Sequence, residues 1–440
     1  MEKKNLEGNP VALLPLGVFL VLFLGVGMIT KDFYKMPVLV AFLIATAVAL
    51  ILDRKQTLNE KIEIFCEGAG HSDIMMMCII FILAGAFASV AKAMGGVEAT
   101  VNLSLSIIPT RFLVGGLFLI ACFISLSMGT SVGTITALAP IGLGIAETAG
   151  MPVPLVIGAI IGGGMFGDNL SMISDTTITA ARTQGCELKD KFKVNFLIVL
   201  PAAIITIIIL TIMSGRYPTQ MNKAYSYEVI KVLPYMAVLI GALAGMNVFV
   251  LLAGGTLFAA IVGILSGGID IFAALEAASN GMLAMAEIII LSIIIGGTLE
   301  LIKRNGGIDY LLGFVKNRIH TKKGAEFGIA LLVSLVDMCT ANNTIAIIMT
   351  GPLARDIAEE YGIDPRRIAS ILDIFSAFIQ GIIPYGAQLL IAAGLVSISP
   401  IKILPYLHYP ILMGICGLIA IGIGFPKIEP KINKKEGSAY

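Results

Sequence analysis

Long apolar runs separated by short polar segments make up most of the chain. Several runs reach or approach the ~20 apolar residues that a helix needs to cross a ~30 Å hydrocarbon core. They are residues 11–29, 38–52, 74–90, 196–213, 248–265 and 403–424. Because only helices and closed barrels satisfy their backbone hydrogen bonds in lipid, these runs predict a bundle of transmembrane helices. The fold class expected is an all-α membrane protein.

Two windows of the chain share one sequence pattern at an offset of 212 residues. PIGLGIAETAG (residues 140–150) and PLARDIAEEYG (residues 352–362) both have the form P-x-x-x-x-I-A-E-x-x-G. We interpret the match as an internal duplication, with a first repeat over residues 1–220 and a second over residues 221–440. If each repeat crosses the membrane an odd number of times, the second is inverted relative to the first. We expect about ten transmembrane helices in this arrangement.

Lysine and arginine are distributed unevenly in the predicted arrangement. Most of the 30 Lys and Arg residues fall on the side that carries both chain termini, among them Arg54, Lys323 and Arg355. Positively charged loops mark the cytoplasmic side of a membrane protein. We therefore expect a multi-pass protein of the cell membrane with both termini in the cytoplasm.

Each predicted repeat contains a long apolar segment with a polar centre. Residues 111–149 carry SLSMGTSVGT and residues 324–361 carry DMCTANNT. We expect two re-entrant helical hairpins, because a tip near the midplane places polar groups where they can bind a ligand. Two crossing helices packed through small residues remain an equal alternative for the first segment, whereas the paired asparagines of the second favour a tip. The candidate binding residues here are Thr130, Ser131, Asp337, Asn342, Asn343 and Thr344.

A second polar interruption follows each hairpin. In residues 152–181 a glycine-rich apolar arm leads into GDNLSMISDTT, and in residues 365–396 the matching stretch keeps a break but has Gln380 in place of Asp168. We expect interrupted helices at the midplane, because the carbonyl groups freed by a break can bind a cation. The candidate binding residues here are Asp168, Asn169, Ser171, Ser174, Asp175, Thr176, Thr177, Gln380 and Gln388.

Two aspartates in an apolar helix require a compensating partner. A charge at the bilayer centre costs about 2.5–3.5 kcal/mol even on the mildest scale. Asp168 and Asp175, with hydroxyl, amide and carbonyl oxygens nearby, form a hard ligand set that suits Na⁺. Burial favours the protonated form of a carboxyl group, so such a site can exchange a proton for a cation. The alternative, a cytoplasmic loop beside Arg182, is disfavoured by the apolar helix that resumes before this arginine.

Composition and charge argue against other classes of protein. Hydrophobic residues make up 57% of the chain and charged residues 13%, against roughly 25% charged residues in soluble domains. The net charge of +1 comes without a dense basic run, so no nucleic-acid partner is expected. The six cysteines form no C-x-x-C pair, and we expect no bound cofactor. No nucleophile and base occur in a catalytic pattern, which disfavours an enzyme.

The motif at residues 167–177 resembles a known transporter family. Gly167, Asp168, Ser171, Ser174 and the closing Asp-Thr-Thr match the form G-D-x-x-S-x-x-S-D-T-T of the NhaC-type sodium/proton antiporters. The hydrophobic duplication is similar to the ion-transporter superfamily, in which inverted repeats surround a central site. The resemblance implies Na⁺/H⁺ antiport by alternating access, with Asp168 and Asp175 holding Na⁺.

The resemblance leaves a second function open. Relatives in the superfamily include carriers of small carboxylates and amino acids, and the alternative is a Na⁺- or H⁺-coupled carrier of a small organic anion or amino acid. Asn342 and Asn343 are able to donate hydrogen bonds to a substrate carboxylate. The expected partners are therefore the lipid bilayer, Na⁺ and H⁺, and in the alternative case the organic solute. A homodimer is compatible with the sequence.

Labelling of an engineered cysteine tests the predicted orientation. In a variant lacking the native cysteines, Lys323→Cys is expected to react with a membrane-impermeant maleimide in inside-out vesicles and to remain unlabelled in intact cells. Lys402→Cys, which the charge distribution places on the opposite side, is the matched control and is expected to show the reverse pattern. Labelling of Lys323→Cys in intact cells would invert the orientation.

Overall fold

The fold is helical throughout the part of the chain that the structure describes. The structure is a computed structural model, and it describes residues 8–30, 36–52, 56–107, 109–172, 174–217, 227–244 and 246–428. Within these ranges no residue lies in a β-strand. The helices are α1 (Leu14–Thr30), α2 (Val38–Leu52), α3 (Leu58–Ala69), α4 (Ser72–Ala93), α5 (Gly96–Ile107), α6 (Thr110–Met128), α7 (Ser131–Ala149), α8 (Val153–Leu170), α9 (Asp175–Gln184), α10 (Leu188–Ser214), α11 (Val229–Leu243), α12 (Val248–Leu265), α13 (Ile271–Ala284), α14 (Ala286–Arg304), α15 (Gly307–Lys316), α16 (Lys322–Thr340), α17 (Asn343–Glu360), α18 (Pro365–Gln380), α19 (Ala387–Leu395), α20 (Pro400–Ile403) and α21 (His408–Ile423).

Many of these helices are long and apolar enough to cross a membrane. Among the described residues, seven helical segments satisfy this criterion, and eight do if the bent pair Ala387–Leu395 and Pro400–Tyr406 is one span. Shorter apolar helices, such as Val38–Leu52 and His408–Ile423, accompany them. The predicted all-α membrane fold is confirmed.

The two polar segments predicted as hairpin tips are helix breaks. α6 ends at Met128 and is followed by the C-cap residue Gly129, which adopts a left-handed conformation (φ 69°), and the Thr130 side chain caps α7. α16 ends at Thr340 and is followed by the C-cap residue Ala341, which is also left-handed (φ 48°), and the Asn342 side chain caps α17. Glycine adopts this conformation without steric cost, whereas an alanine there is strained. We call α6–α7 the first hairpin and α16–α17 the second hairpin.

The two predicted interrupted helices are also present. α8 ends at Leu170 and α9 begins at Asp175, while α18 ends at Gln380 and α19 begins at Ala387. We call these gaps the first break and the second break; Ile173, inside the first break, lies outside the described residues. Helix starts recur at the offset of 212 residues, since α16 begins 212 positions after α6, and α19 begins 212 positions after α9.

Glycines let α8 approach the first hairpin closely. A Cβ atom on Gly163 would lie 2.3 Å from the carbonyl oxygen of Phe118, and one on Gly167 would lie 2.6 Å from that of Cys122. Small residues permit such backbone contact between membrane helices. The contact brings the C-terminal end of α8, with Asp168, beside the tip of the first hairpin.

The close contact between α6 and α8 predicts a specific loss of stability. Gly163→Ala is expected to lower the free energy of unfolding by about 1–3 kcal/mol, because the added methyl overpacks the interface. Thermal unfolding of the detergent-solubilised protein, followed by circular dichroism, measures the effect. Gly116→Ala is the control, since Gly116 lies on the facing helix α6 and a methyl added there would meet no heavy atom within 4 Å. Equal melting temperatures of the two variants would contradict the contact.

Candidate functional site

Both hairpin tips and both breaks line one cavity of about 400 Å³. Its lining includes exposed side chains, among them His71, Asp175 and Lys303. Asp168 also lines the cavity and is only 9% exposed. The sequence-predicted residues that line the cavity are Thr130, Ser131, Asp168, Ser174, Asp175, Thr176, Asn342, Asn343, Thr344, Gln380 and Gln388. The two halves of the chain therefore supply one site.

The carboxylate of Asp168 is held by hydroxyl groups from two different elements. Ser131, at the start of α7, donates its hydroxyl to Oδ2 at 2.6 Å and its backbone N–H to the same oxygen at 3.3 Å. Ser174, in the first break, donates its hydroxyl to Oδ1 at 2.6 Å. The Thr176 hydroxyl lies 2.9 Å from that of Ser174. Asp168 thus joins the first hairpin tip to the first break.

A chain of hydrogen bonds continues from Asp168 to the second half of the molecule. Gln388 donates its Nε2 to the Ser131 hydroxyl at 3.0 Å. Gln380 donates its Nε2 to Gln388 Oε1 at 3.0 Å and to the carbonyl of Ala341, at the second hairpin tip, at 3.1 Å. Gln380 Oε1 is buried and has no hydrogen-bond partner among the described residues. Gln380 therefore keeps one unpaired acceptor within the network that leads to Asp168.

The two aspartates of the sequence motif occupy different environments. Asp168 lies in the last turn of α8 and is buried, whereas Asp175 is the first residue of α9 and is exposed on the cavity wall. An acidic side chain in the first turn of a helix interacts favourably with the helix dipole. Asp175 therefore has a local structural reason to be at the helix start, while Asp168 is the buried acid of the cavity lining.

Asn169 and Thr177 face away from the cavity into a second buried cluster. Lys191 and Asp373 form a fully buried ion pair there. Lys191 also donates to the Asn169 carbonyl and to the Thr177 hydroxyl, each at 3.0 Å. The sequence-based prediction missed Lys191. The available signal was its four-residue spacing from Asn195, which places both polar side chains on one face of α10.

Two further predicted residues lie off the cavity. The Ser171 hydroxyl donates to the carbonyl of Leu126 at 2.8 Å and so ties the first break to α6. Asp337 is fully buried, and neither carboxyl oxygen has a hydrogen-bond partner within the described ranges. Unlike its neighbours Asn342 and Asn343, Asp337 does not line the cavity. Proximity in sequence to the tip was therefore not enough to place it at the site.

A membrane-spanning helical bundle whose interrupted helices meet at a buried polar site is the architecture of secondary transporters. Comparison with known proteins agrees with this class. The model of the Na⁺/H⁺ antiporter family matches residues 9–215 and 219–428. The chain therefore belongs to the Na⁺/H⁺ antiporter family, and it is a transporter.

Individual relatives cover nearly the whole chain. A Malate-2H(+)/Na(+)-lactate antiporter of Bacillus subtilis is 24% identical over 89% of this chain and 90% of its own length. The Na(+)/H(+) antiporter NhaC of Alkalihalophilus pseudofirmus is 22% identical over 99% of this chain and 100% of its own length. Among solved structures, the YdaH transporter of Alcanivorax borkumensis matches with a TM-score of 0.42 at 13% identity, covering 95% of this chain and 99% of that one.

The contacts of Asp168 predict the effect of removing one donor. Ser131→Ala deletes the hydroxyl that donates to Asp168 and accepts from Gln388, and it is expected to lower the free energy of unfolding by about 1–3 kcal/mol. Thermal unfolding in detergent, followed by circular dichroism, measures the change. Ser127→Ala is the matched control on the same hairpin, because its hydroxyl donates to the Phe123 carbonyl within α6. Similar melting temperatures for both variants would argue against the buried network.

Proposed function

We propose that the protein exchanges Na⁺ for H⁺ across the cell membrane, with Asp168 binding one cation at a time. The observation that carries this proposal is the buried Asp168 carboxylate in the lining of the cavity, flanked by the Ser131 and Ser174 hydroxyls. Carboxylate, hydroxyl and amide oxygens are hard ligands that suit Na⁺. In the same network, Gln380 Oε1 is an amide oxygen without a hydrogen-bond partner among the described residues.

The exchange follows from the cost of leaving the carboxylate charged. An ionised group in the membrane interior costs about 2.5–3.5 kcal/mol or more, and either a proton or a Na⁺ ion removes that charge. One carboxylate does not hold both at once, so binding of one cation requires release of the other. The two cations therefore compete for Asp168, and alternating exposure of the site to the two sides of the membrane converts this competition into antiport.

We further propose that alternating access rests on two inverted repeats, residues 1–220 and 221–440, with re-entrant hairpins at 111–149 and 324–361 and interrupted helices at 152–181 and 365–396. The recurrence of helix starts at 212 residues supports this arrangement. We place both termini in the cytoplasm from the distribution of lysine and arginine; residues 1–7 and 429–440 lie outside the described residues. The cycle needs no bound cofactor, because Na⁺ and H⁺ are themselves the cargo.

Asp175 has a different role in this proposal. It is exposed on the cavity wall, where a carboxylate raises the local concentration of cations without having to give up its hydration. Cation entry therefore depends on Asp175, and cation binding depends on Asp168. In this proposal the two aspartates of the motif have separate roles instead of sharing one Na⁺ ion.

A second candidate function is favoured by the size of the cavity. About 400 Å³ is far more space than a single cation fills, and it falls within the range of small-molecule pockets. Asn343 and Thr130 line the cavity and carry groups that can donate hydrogen bonds to a carboxylate. Together with the similarity to a malate and lactate antiporter, this favours coupled transport of a small organic anion as the alternative, on the same Asp168 site.

Substitution of the two acids tests the assignment of roles. The assay uses vesicles that contain purified protein and a pH-sensitive dye. Asp168→Asn is expected to reduce Na⁺-driven proton movement to the level of empty vesicles, because the neutral asparagine side chain cannot exchange a proton for Na⁺. Asp175→Asn is the matched control and is expected to keep exchange with a higher half-saturating Na⁺ concentration, most clearly at low ionic strength. Wild-type exchange by Asp168→Asn would remove Asp168 from the mechanism.

The same vesicles separate the two candidate functions. Proton movement driven by Na⁺ alone, without an organic solute, supports the antiporter. Na⁺ uptake that starts only when malate, lactate or an amino acid is present supports the organic-anion carrier and rules out simple Na⁺/H⁺ exchange. Loss of either activity in Asp168→Asn keeps the site assignment intact.

A further inference from the structure

A buried lysine contacts the end of α8 at the first break. Lys191, in the first turn of α10, is fully buried and pairs with Asp373 of α18, which is equally buried. Its ammonium group also donates to the backbone carbonyl of Asn169 and to the hydroxyl of Thr177. Asn195, one helical turn further along α10, donates to the same carbonyl at 2.9 Å. The cluster lies on the far side of the α8–α9 break from the cavity.

The ligands of the Lys191 ammonium are those of a cation site. They comprise a carboxylate oxygen of Asp373, a hydroxyl oxygen of Thr177 and the carbonyl oxygen of Asn169 at the end of a broken helix. Carboxylate, hydroxyl and freed carbonyl oxygens are the groups that coordinate Na⁺ in interrupted membrane helices. The second carboxyl oxygen of Asp373 is buried and has no hydrogen-bond partner in the described part of the chain. The cluster therefore has both the ligands and a spare acceptor for a monovalent cation.

The buried charges at the first break do not cancel. Asp168 lines the cavity, whereas Asp373 lies in the cluster and pairs with Lys191, the one positive charge there. Separating a buried ion pair is costly, because it leaves an uncompensated charge. The charge of Lys191 therefore neutralises Asp373 and is not available to neutralise Asp168. One negative charge, that of Asp168, is left for a mobile cation.

We propose that Lys191 is a tethered cation that fills a second cation position, and that it thereby limits the transporter to one mobile monovalent cation, bound at Asp168. This inference rests on the proposed Na⁺ binding at Asp168. With the lysine removed, the oxygen cage at Asp373 becomes available to a second Na⁺ ion. Lys191 also fixes the Asn169 carbonyl, so it positions the end of α8 that carries Asp168.

Equilibrium binding of radioactive ²²Na⁺ to the purified, full-length protein tests the proposal by stoichiometry. Wild type is expected to bind one Na⁺ per chain and Lys191→Met two, since methionine keeps the apolar stem but not the charge. Lys191→Met with Asp373→Asn is expected to return to one. Lys193→Met, which removes an exposed lysine two residues along the same helix, is the matched control and is expected to bind one.

The outcomes distinguish failure of this inference from failure of the proposed function. Wild type binding no Na⁺ overturns the proposed function. Wild type binding one and folded Lys191→Met also binding one overturns the tethered-cation inference. Wild type binding two overturns it as well, and this result does not depend on any variant.

Two further measurements keep the proposal testable if Lys191→Met lowers the stability of the protein. Asp168→Asn with Lys191 intact is expected to bind no Na⁺, and a remaining Na⁺ ion there would show that the cage is open despite the lysine and would overturn the inference. The melting temperature of Lys191→Met is expected to rise on replacing choline chloride by NaCl by more than that of Lys193→Met. Equal shifts in the two lysine variants would overturn the proposal, because Na⁺ would then not be filling the position of the ammonium.

Discussion

A helix that breaks inside a membrane frees backbone groups that lipid does not hydrogen-bond, and the structure around α8 and α9 depends on satisfying them. The carbonyl of Asn169 accepts from Lys191 and Asn195, and the N–H of Ser171 donates to the Gly167 carbonyl at 2.7 Å. Asp168, the residue before Asn169, turns to the opposite side and accepts from Ser131. Contacts from α10 and from the first hairpin therefore both fix the end of α8 at the break.

The close packing of α6 against α8 follows from the same constraint. Ser125 donates its hydroxyl to the carbonyl of Gly164 at 2.6 Å, and Ser171 reaches the carbonyl of Leu126 at 2.8 Å. Such short side chains bond across two helices only where the backbones approach closely, as Gly163 and Gly167 allow. The glycines of α8 therefore allow the hairpin tip to lie close to the break. As a result, the polar residues of both elements form one hydrogen-bond network.

The sequence predicts the breaks but not their side-chain partners. Polar residues between apolar arms identify both hairpin tips and both interruptions, because an unbroken helix would expose those groups to lipid. The link from Gln388 to Ser131 joins residues 257 positions apart, and no local pattern contains it. Asp337 shows the converse: it lies in the last turn of α16, where a rotation of about 100° per residue separates its direction from that of the tip that follows. Tertiary packing decides which polar residues of a tip reach the cavity.

The asymmetry between the two breaks has a physical reason. Gln380 stands where the first half has Asp168, and its amide donates to Gln388 and Ala341 while its oxygen has no hydrogen-bond partner among the described residues. A second carboxylate at that position would face the first across the same buried space, and two like charges there would require two cations or a shared proton. An amide keeps the ligand oxygen and the hydrogen-bonded connection between the halves without adding a charge. A network with one acid is therefore the arrangement that the proposed exchange of a single cation at Asp168 requires.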